Sequence, residues 1–217
     1  MARLISVNVG LPREVTWKGQ TVTTGIFKAP VDGPVAIRRH NLEGDRQADL
    51  SVHGGPTKAV YLYPAQHYDY WRDELGDSEL AWASFGENFT VDGLDEETVF
   101  IGDEFRVGSS RLVVTEPRMP CFKLGIRFGR ADMVKRFLSS QRTGFYFGVV
   151  EEGVVQAGDH LERVAEQAEG LRVADVTRLY TTDRTNERLL RKAISVTALP
   201  DSWRGSFEHQ LERLRGR

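Results

Sequence analysis

The chain has 217 residues, 40% of them hydrophobic and 28% charged, with a net charge of −2 and a single cysteine. Its length fits one large domain, or one domain with a small appendage, and can bury a substantial core. The charge gives no electrostatic reason to expect a nucleic acid polymer as partner, no apolar run approaches the ~20 residues a membrane helix needs, and one thiol excludes a disulfide framework, a cysteine-ligated iron–sulfur cluster and a Cys-rich zinc site.

The first ten residues have too short an apolar core for a signal peptide and read as a strand over Leu4–Val9, so the expected location is cytoplasmic. Lys18-Gly19 and Thr24-Gly25 mark turns between short strands in Val15–Ile26, Lys28–Pro34 is a loop by composition, and Val35–Arg38 resumes as strand. Twenty-one glycines and short β-branched runs between turn signals predict a barrel or sandwich rather than a helical bundle. Gly44–Lys58 is polar and Gly-rich, and structureless loops of roughly fifteen residues are usually functional or disordered. It carries Asp45, Arg46, Asp49, His53 and Lys58 and feeds a strand, Ala59–Tyr63. His53 before Gly54-Gly55 fits a turn where backbone can approach a ligand; a solvated surface loop is the plain alternative.

Pro64–Leu75 is predicted as a helix, with Pro64 in its first turn, Tyr68, Trp71 and Leu75 at helical spacing, His67 as a packed or capping residue and Gly76 as its stop. In Phe85–Thr90, Glu87 and Asn88 need hydrogen-bond partners if buried. Glu87 is read as tying loops together, and Asn88 is left as either a tie or a ligand contact. Thr98–Asp103 and Glu104–Gly108 are predicted strands, followed by Arg111–Thr115. An amphipathic helix is expected over Ala131–Ser140, a strand over Arg142–Val150 and a closing strand over Leu161–Val164. After a short linker the period turns helical, giving Val173–Tyr180, Thr185–Ala198 and Trp203–Leu214. These divide the chain into a β domain, 1–166, and a three-helix lobe, 167–217, which must rest on the β domain to be stable.

The chain's chemistry centres on Thr115–Lys123. Pro117 and Pro120 stiffen the loop that leaves the strand before Cys121, while Arg118 and Lys123 bracket the thiol with positive charge, which favours the thiolate. Such a sulfur can be a nucleophile, a sulfur carrier or a soft metal ligand, or it can be a buried structural cysteine. Should the loops Gly44–Lys58, Phe85–Asn88, Glu116–Lys123 and Gln141–Thr143 share one mouth of a barrel, Cys121 would stand among Arg46, Lys58, Arg118, Lys123 and Arg142. That is a cationic site for an anionic small molecule. No P-loop or Gly-x-Gly-x-x-Gly fingerprint accompanies it.

The motifs Gly44-Asp-Arg-Gln-Ala-Asp-Leu50, Val52-His-Gly-Gly-Pro56, Lys58-Ala-Val-Tyr61, Phe85-Gly-Glu-Asn88, Glu116-Pro-Arg118, Pro120-Cys121, Lys123-Leu124 and Arg142-Thr-Gly144 together resemble the MOSC superfamily, and within it the stand-alone YiiM-like group. The resemblance implies a mainly β fold, a MOSC-type β-barrel with a C-terminal three-helix lobe. It also implies a molybdenum–molybdopterin cofactor whose protein sulfur ligand is Cys121. Arg46, His53, Lys58, Arg118, Lys123 and Arg142 become candidates to hold the pterin and its phosphate, with Tyr61 and Asn88 lining the pocket and His53 a candidate proton donor. Phe122 stands where a Trp often neighbours the cysteine. The implied activity is reduction of N-hydroxylated compounds, such as hydroxylaminopurine base analogues, by oxygen-atom transfer. One cysteine and no dinucleotide fingerprint leave the chain without an electron relay of its own, so a separate flavin or iron–sulfur reductase is expected. The alternatives are a persulfide carrier on Cys121, a Cys121–His53 hydrolase and a non-catalytic binding module.

Overall fold

The structure is a computed structural model that describes residues 1–48 and 55–216. In chain order the elements are β1 (Ala2–Val9), β2 (Arg13–Trp17), β3 (Gln20–Thr24), β4 (Ala29–Pro30), β5 (Val35–Arg38), β6 (Asn41–Leu42), β7 (Val60–Pro64), α1 (His67–Leu75), β8 (Phe89–Asp92), β9 (Glu104–Val107), β10 (Ser110–Pro117), α2 (Phe122–Phe128), α3 (Met133–Ser140), β11 (Phe145–Glu151), β12 (Gly153–Val155), β13 (His160–Ala165), α4 (Val173–Tyr180), α5 (Glu187–Ser195) and α6 (Asp201–Arg215).

Seven strands close into a barrel in the order β1-β8-β7-β11-β10-β9-β13, and β13 returns to β1 through Ala2 opposite Leu161 and Arg3 opposite His160. Closure leaves those seven strands no free edge within the ring. Every pair in the ring is antiparallel except β7 with β8, which align in parallel with Leu62 beside Phe89. Parallel neighbours need a crossover, and the segment carrying α1 supplies it. The short strand β4 extends β1 at Asn8 and Pro30. The β2–β3 hairpin turns through Lys18 (φ 50°) and Gly19 (φ 79°), the two left-handed positions of a tight hairpin loop.

β7 explains how the barrel wall serves two cores. Strand side chains alternate faces, and all five residues of Val60–Pro64 are buried. Val60 and Leu62 point into the barrel with Leu4, Phe105, Leu112 and Phe145. Tyr61 and Tyr63 point outward into a second cluster with Tyr68, Trp71, Phe85, Leu124 and Phe137, drawn from α1, α2, α3 and the loop before β8. Each such side chain contributes roughly 1.5–3 kcal/mol by burial. Their polar tips are satisfied too: Trp71 Nε1 donates to Tyr63 Oη at 2.6 Å, and Tyr63 Oη donates to the Arg142 carbonyl at 3.1 Å. The apolar residues of the last three helices, among them Val176, Leu179, Leu190, Ala193 and Phe207, join the barrel's own cluster. They therefore rest on the β structure, as short amphipathic helices must.

Four expectations about individual elements are corrected. Thr98–Asp103 is turn rather than strand, with only Phe100 bridging to Arg172. Asp95 Oδ1 takes the amides of Glu97 and Thr98, and Asp103 Oδ2 takes that of Phe100, so side chains capture donors a ladder would need. Pro64 ends β7, and the helix begins only at His67. Helix α5 begins at Glu187 rather than at Thr185, because Asn186 caps it, its side chain accepting from the Leu189 amide at 3.0 Å. Finally, Phe122–Phe128 forms a helix, α2, where the sequence alone predicts none. Among the described residues no helix is long and apolar enough to cross a membrane.

Candidate functional site

A cleft of about 680 Å³, open to solvent, is lined by Cys121, Arg46, Lys58, Tyr61, Asn88, Arg118 and Lys123. Seven of the sequence-predicted site residues are thus brought together. Arg142 is not among the lining residues: its guanidinium lies 4.0 Å over the Tyr70 ring and donates to the Ser140 carbonyl at 3.0 Å. His53 lies outside the described residues. Three of the four expected loops meet at this cleft. Its floor is made by Tyr61 of β7 and Tyr146 of β11, which sit opposite each other in the sheet with rings 5.2 Å apart. Both belong to the outer aromatic cluster. The site therefore lies against the outside of the barrel wall rather than in a barrel mouth, because the barrel interior is filled by aliphatic and phenyl side chains.

Sequence reasoning missed one wall. Thr24, Gly25, Ile26 and Lys28, from the end of β3 and the loop after it, face the cleft. Gly25 is what lets that loop approach: a Cβ there would come within 2.5 Å of the Arg46 carbonyl oxygen. Gly25→Ala is expected to cost about 1–3 kcal/mol by overpacking and to loosen Arg46, measured as a lower urea midpoint together with weaker anion binding; an unchanged midpoint would show that the two loops are free to separate. No local signal in Lys28–Pro34 marks Lys28 as functional. Tyr146 could have been found by alternation along Phe145–Val150, but only the pairing with β7 places it beside Tyr61.

Cys121 is the N-cap residue of α2, with extended backbone (φ −119°, ψ 176°), and its side chain is half-buried at the cleft. Arg118 reaches the same space from the end of β10. Its backbone amide donates to the Gly144 carbonyl at 3.2 Å, and its guanidinium carbon lies 5.3 Å from the Tyr61 ring and 5.0 Å from the Phe137 ring. Arg118 is 6% exposed, and its Nη1 is buried with no hydrogen-bond partner among the described residues. Burial works against this charge, but Tyr61, Tyr146 and Cys121 more than offset it, so the arginine is held above its ordinary pKa. Burial likewise pushes the Tyr146 phenol up to about 12, with Arg118 acting in the opposite direction.

Behind the cleft a polar knot fixes the loops. Asp45, 2% exposed, pairs through Oδ1 with Lys28 Nζ and the Gly10 amide (3.0 Å), and through Oδ2 with Asn88 Nδ2 at 2.9 Å. Asn88 Nδ2 also donates to the Asn8 carbonyl, and its Oδ1 accepts from the Tyr61 amide. Asn88 is therefore chiefly a tie, although it lines the cleft. Glu87 is a tie as well, accepting from Tyr68 Oη, the Ala83 and Phe85 amides and Thr90 Oγ1. His67 is packed, with Nε2 2.7 Å from Glu96 Oε2, while Glu96 Oε1 accepts the Gly144 amide.

The helical lobe reaches the site through Glu116, which accepts from Trp203 Nε1 at 2.8 Å and Thr57 Oγ1 at 3.1 Å and lies 3.7 Å from Lys58 Nζ. Burial raises the Glu116 carboxyl above 4.5 despite Lys58. A raised carboxyl contributes stability that is fully present below its unfolded pKa and is lost as pH rises through the folded value. Glu116→Gln is expected to gain stability relative to wild type as pH goes from 4.5 towards 7, read from urea midpoints; a constant difference across that range would contradict the assignment.

With no acidic residue among its described lining, and with Lys28, Arg46, Lys58, Arg118 and Lys123 around one sulfur, the cleft defines a class of protein: a closed β-barrel with a basic, thiol-bearing site on its outer wall, suited to an anionic small molecule. The chain belongs to the MOSC domain family, whose model matches residues 49–162, and residues 173–214 match the YiiM-like, 3-alpha helix domain. It is 43% identical to the protein YflK of Bacillus subtilis over 97% of this chain and 95% of that one. The crystal structure of YiiM from Geobacillus stearothermophilus superposes with a TM-score of 0.82 at 33% identity, covering 97% of this chain and 100% of that chain. A protein of Gibberella moniliformis named "Reductase" is 32% identical over 91% of this chain, which spans only 35% of it.

Proposed function

We propose that this chain binds a molybdenum–pterin cofactor in the Cys121 cleft and reduces N-hydroxylated small molecules, with hydroxylaminopurine-type base analogues among its substrates. The observation that carries the reading is Arg118 Nη1, a buried donor in the cysteine's cleft with no hydrogen-bond partner among the described residues. A buried unpaired donor is costly, and an anionic ligand in the cleft would satisfy it. Membership of the MOSC family, whose domains are associated with this cofactor, and the reductase name of one relative support the redox reading.

The donor set fits such a group. Cys121, the sulfur that lines the cleft, would be the protein's ligand to the metal, as the resemblance to the family implies. Arg118, Arg46, Lys58 and Lys123 would hold the anionic end, and the Tyr61–Tyr146 floor would lie against the planar ring system. Arg142 is left out of this set because Tyr70 and Ser140 engage it. When bound, the cofactor supplies two-electron oxygen-atom transfer, and the protein contributes binding, orientation and local charge. The reaction needs an outside reductant, for which a separate flavin or iron–sulfur protein is proposed; sustained turnover with NAD(P)H alone would remove that partner.

Molybdenum and pterin content of purified wild type beside Cys121→Ala tests the whole reading. Wild type is expected to carry both, and the variant to lose the metal and N-hydroxy reductase activity. A metal-free wild type with a cyanide-labile sulfur on Cys121 would instead support the persulfide carrier.

A further inference from the structure

The proposed reduction consumes two protons for each oxygen removed, and the described part of the cleft holds one buried group built to deliver one. We propose that Lys28 is a proton donor of the site, seated on Asp45 so that its ammonium is presented to the departing oxygen. This rests on the reductase reading and adds to it a residue outside the motifs that carry the family resemblance.

Lys28 lines the same cleft as Cys121, yet its side chain is only 8% exposed, and its ion-pair partner, Asp45, is fully buried. Asp45 cannot swing away, because the Gly10 amide and Asn88 Nδ2 hold it from two other segments. The ammonium is thus fixed at the wall rather than free on a flexible stem. The other basic side chains of the cleft serve a different task. Arg118 is held above its ordinary pKa, and Lys58 is shared with Glu116. The Tyr146 phenol, pushed to about 12, is a weak acid. The charges acting on Lys28 are the Asp45 and Glu87 carboxylates, and the cations Arg46, Lys58, Arg118 and Lys123 line the same cleft. Burial outweighs Asp45 and Glu87 and draws the ammonium below 10.5, towards the range where a general acid works well.

The step balances as R–NH–OH + 2e⁻ + 2H⁺ → R–NH₂ + H₂O. The N–O bond breaks and the oxygen leaves as water. One O–H bond of the water forms as the Lys28 Nζ–H bond breaks, the new N–H bond of the amine forms with a proton from solvent, and the two electrons come from the separate reductase. Solvent then reprotonates Lys28, with Asp45 stabilising the restored ammonium.

Lys28→Arg keeps the ion pair with Asp45 and removes the usable proton. Molybdenum and pterin content should stay at the wild-type level while turnover falls about 100-fold, the low end for general acid catalysis, and the alkaline limb of the kcat/KM profile should disappear. A second readout needs no loaded enzyme and no folded variant: the Lys28 side-chain NMR titration in wild-type protein, expected to have its midpoint below 10.5. Wild-type turnover and an intact alkaline limb in Lys28→Arg, or an unshifted midpoint, overturn the donor role alone. Wild type lacking molybdenum and pterin overturns the reductase reading, and the donor role with it.

Discussion

Arg118→Met is expected to separate binding from folding. Methionine fills much of the volume between Tyr61 and Phe137 and removes a buried Nη1 that has no partner among the described residues, so the unloaded protein should stay within about 1 kcal/mol of wild-type stability. The same change removes the most deeply buried cation at Cys121. Hydrogen bonds to charged groups contribute about 1.5–3 kcal/mol each, which corresponds to roughly 10- to 150-fold in affinity. Pterin per chain after purification, together with the affinity of unloaded protein for inorganic phosphate, reads the binding loss, and a urea midpoint reads the stability. Loss of stability without loss of binding would make Arg118 a structural strut that happens to border the cleft.

Asp45→Ala carries the opposite signature. It leaves the Lys28 ammonium in a site where side-chain exposure is 8% and strips acceptors from the Gly10 amide and Asn88 Nδ2. Breaking a buried pair by removing one partner typically costs about 3–5 kcal/mol, and the urea midpoint should fall accordingly. The penalty has a pH signature, because it is the cost of an uncompensated charge. It should shrink at alkaline pH, where Lys28, already drawn below 10.5 by burial, gives up its proton. A loss under about 1 kcal/mol, or one that does not change with pH, would mean that solvent reaches the pair.

How much of this is legible without coordinates differs by residue. Val35–Arg38 and Val173–Tyr180 have the boundaries the sequence predicts, because short β-branched runs and helical periodicity are local signals. Gly76 as the stop of α1 is equally readable, since its left-handed backbone (φ 66°) favours glycine. The helix after Cys121 is hidden by the two prolines before it, which argue for loop up to the cysteine and carry no information on the residues beyond it. Thr98–Asp103 departs from expectation because strand composition loses to Asp95 and Asp103, whose carboxylates capture local amides.

The candidate site divides the same way. Residue chemistry alone singles out one cysteine flanked by cations, and ordered motifs tie it to Arg46, Lys58, Tyr61 and Asn88, all of which line one cleft. Which side of the barrel that cleft occupies is decided by pairing. Tyr61 and Tyr146 become neighbours only because β7 and β11 align in register, and both face outward because Val60, Leu62, Phe145 and Phe147 fill the interior. Arg142 leaves the site for Tyr70 and Ser140, and Lys28 enters it from a loop with no motif, since such placements depend on contacts between segments far apart in the chain. The sequence by itself determined the chemical types and the elements that carry them, because these depend on local backbone preference and side-chain identity. Tertiary structure alone decided which of those groups meet and which only hold the others in place.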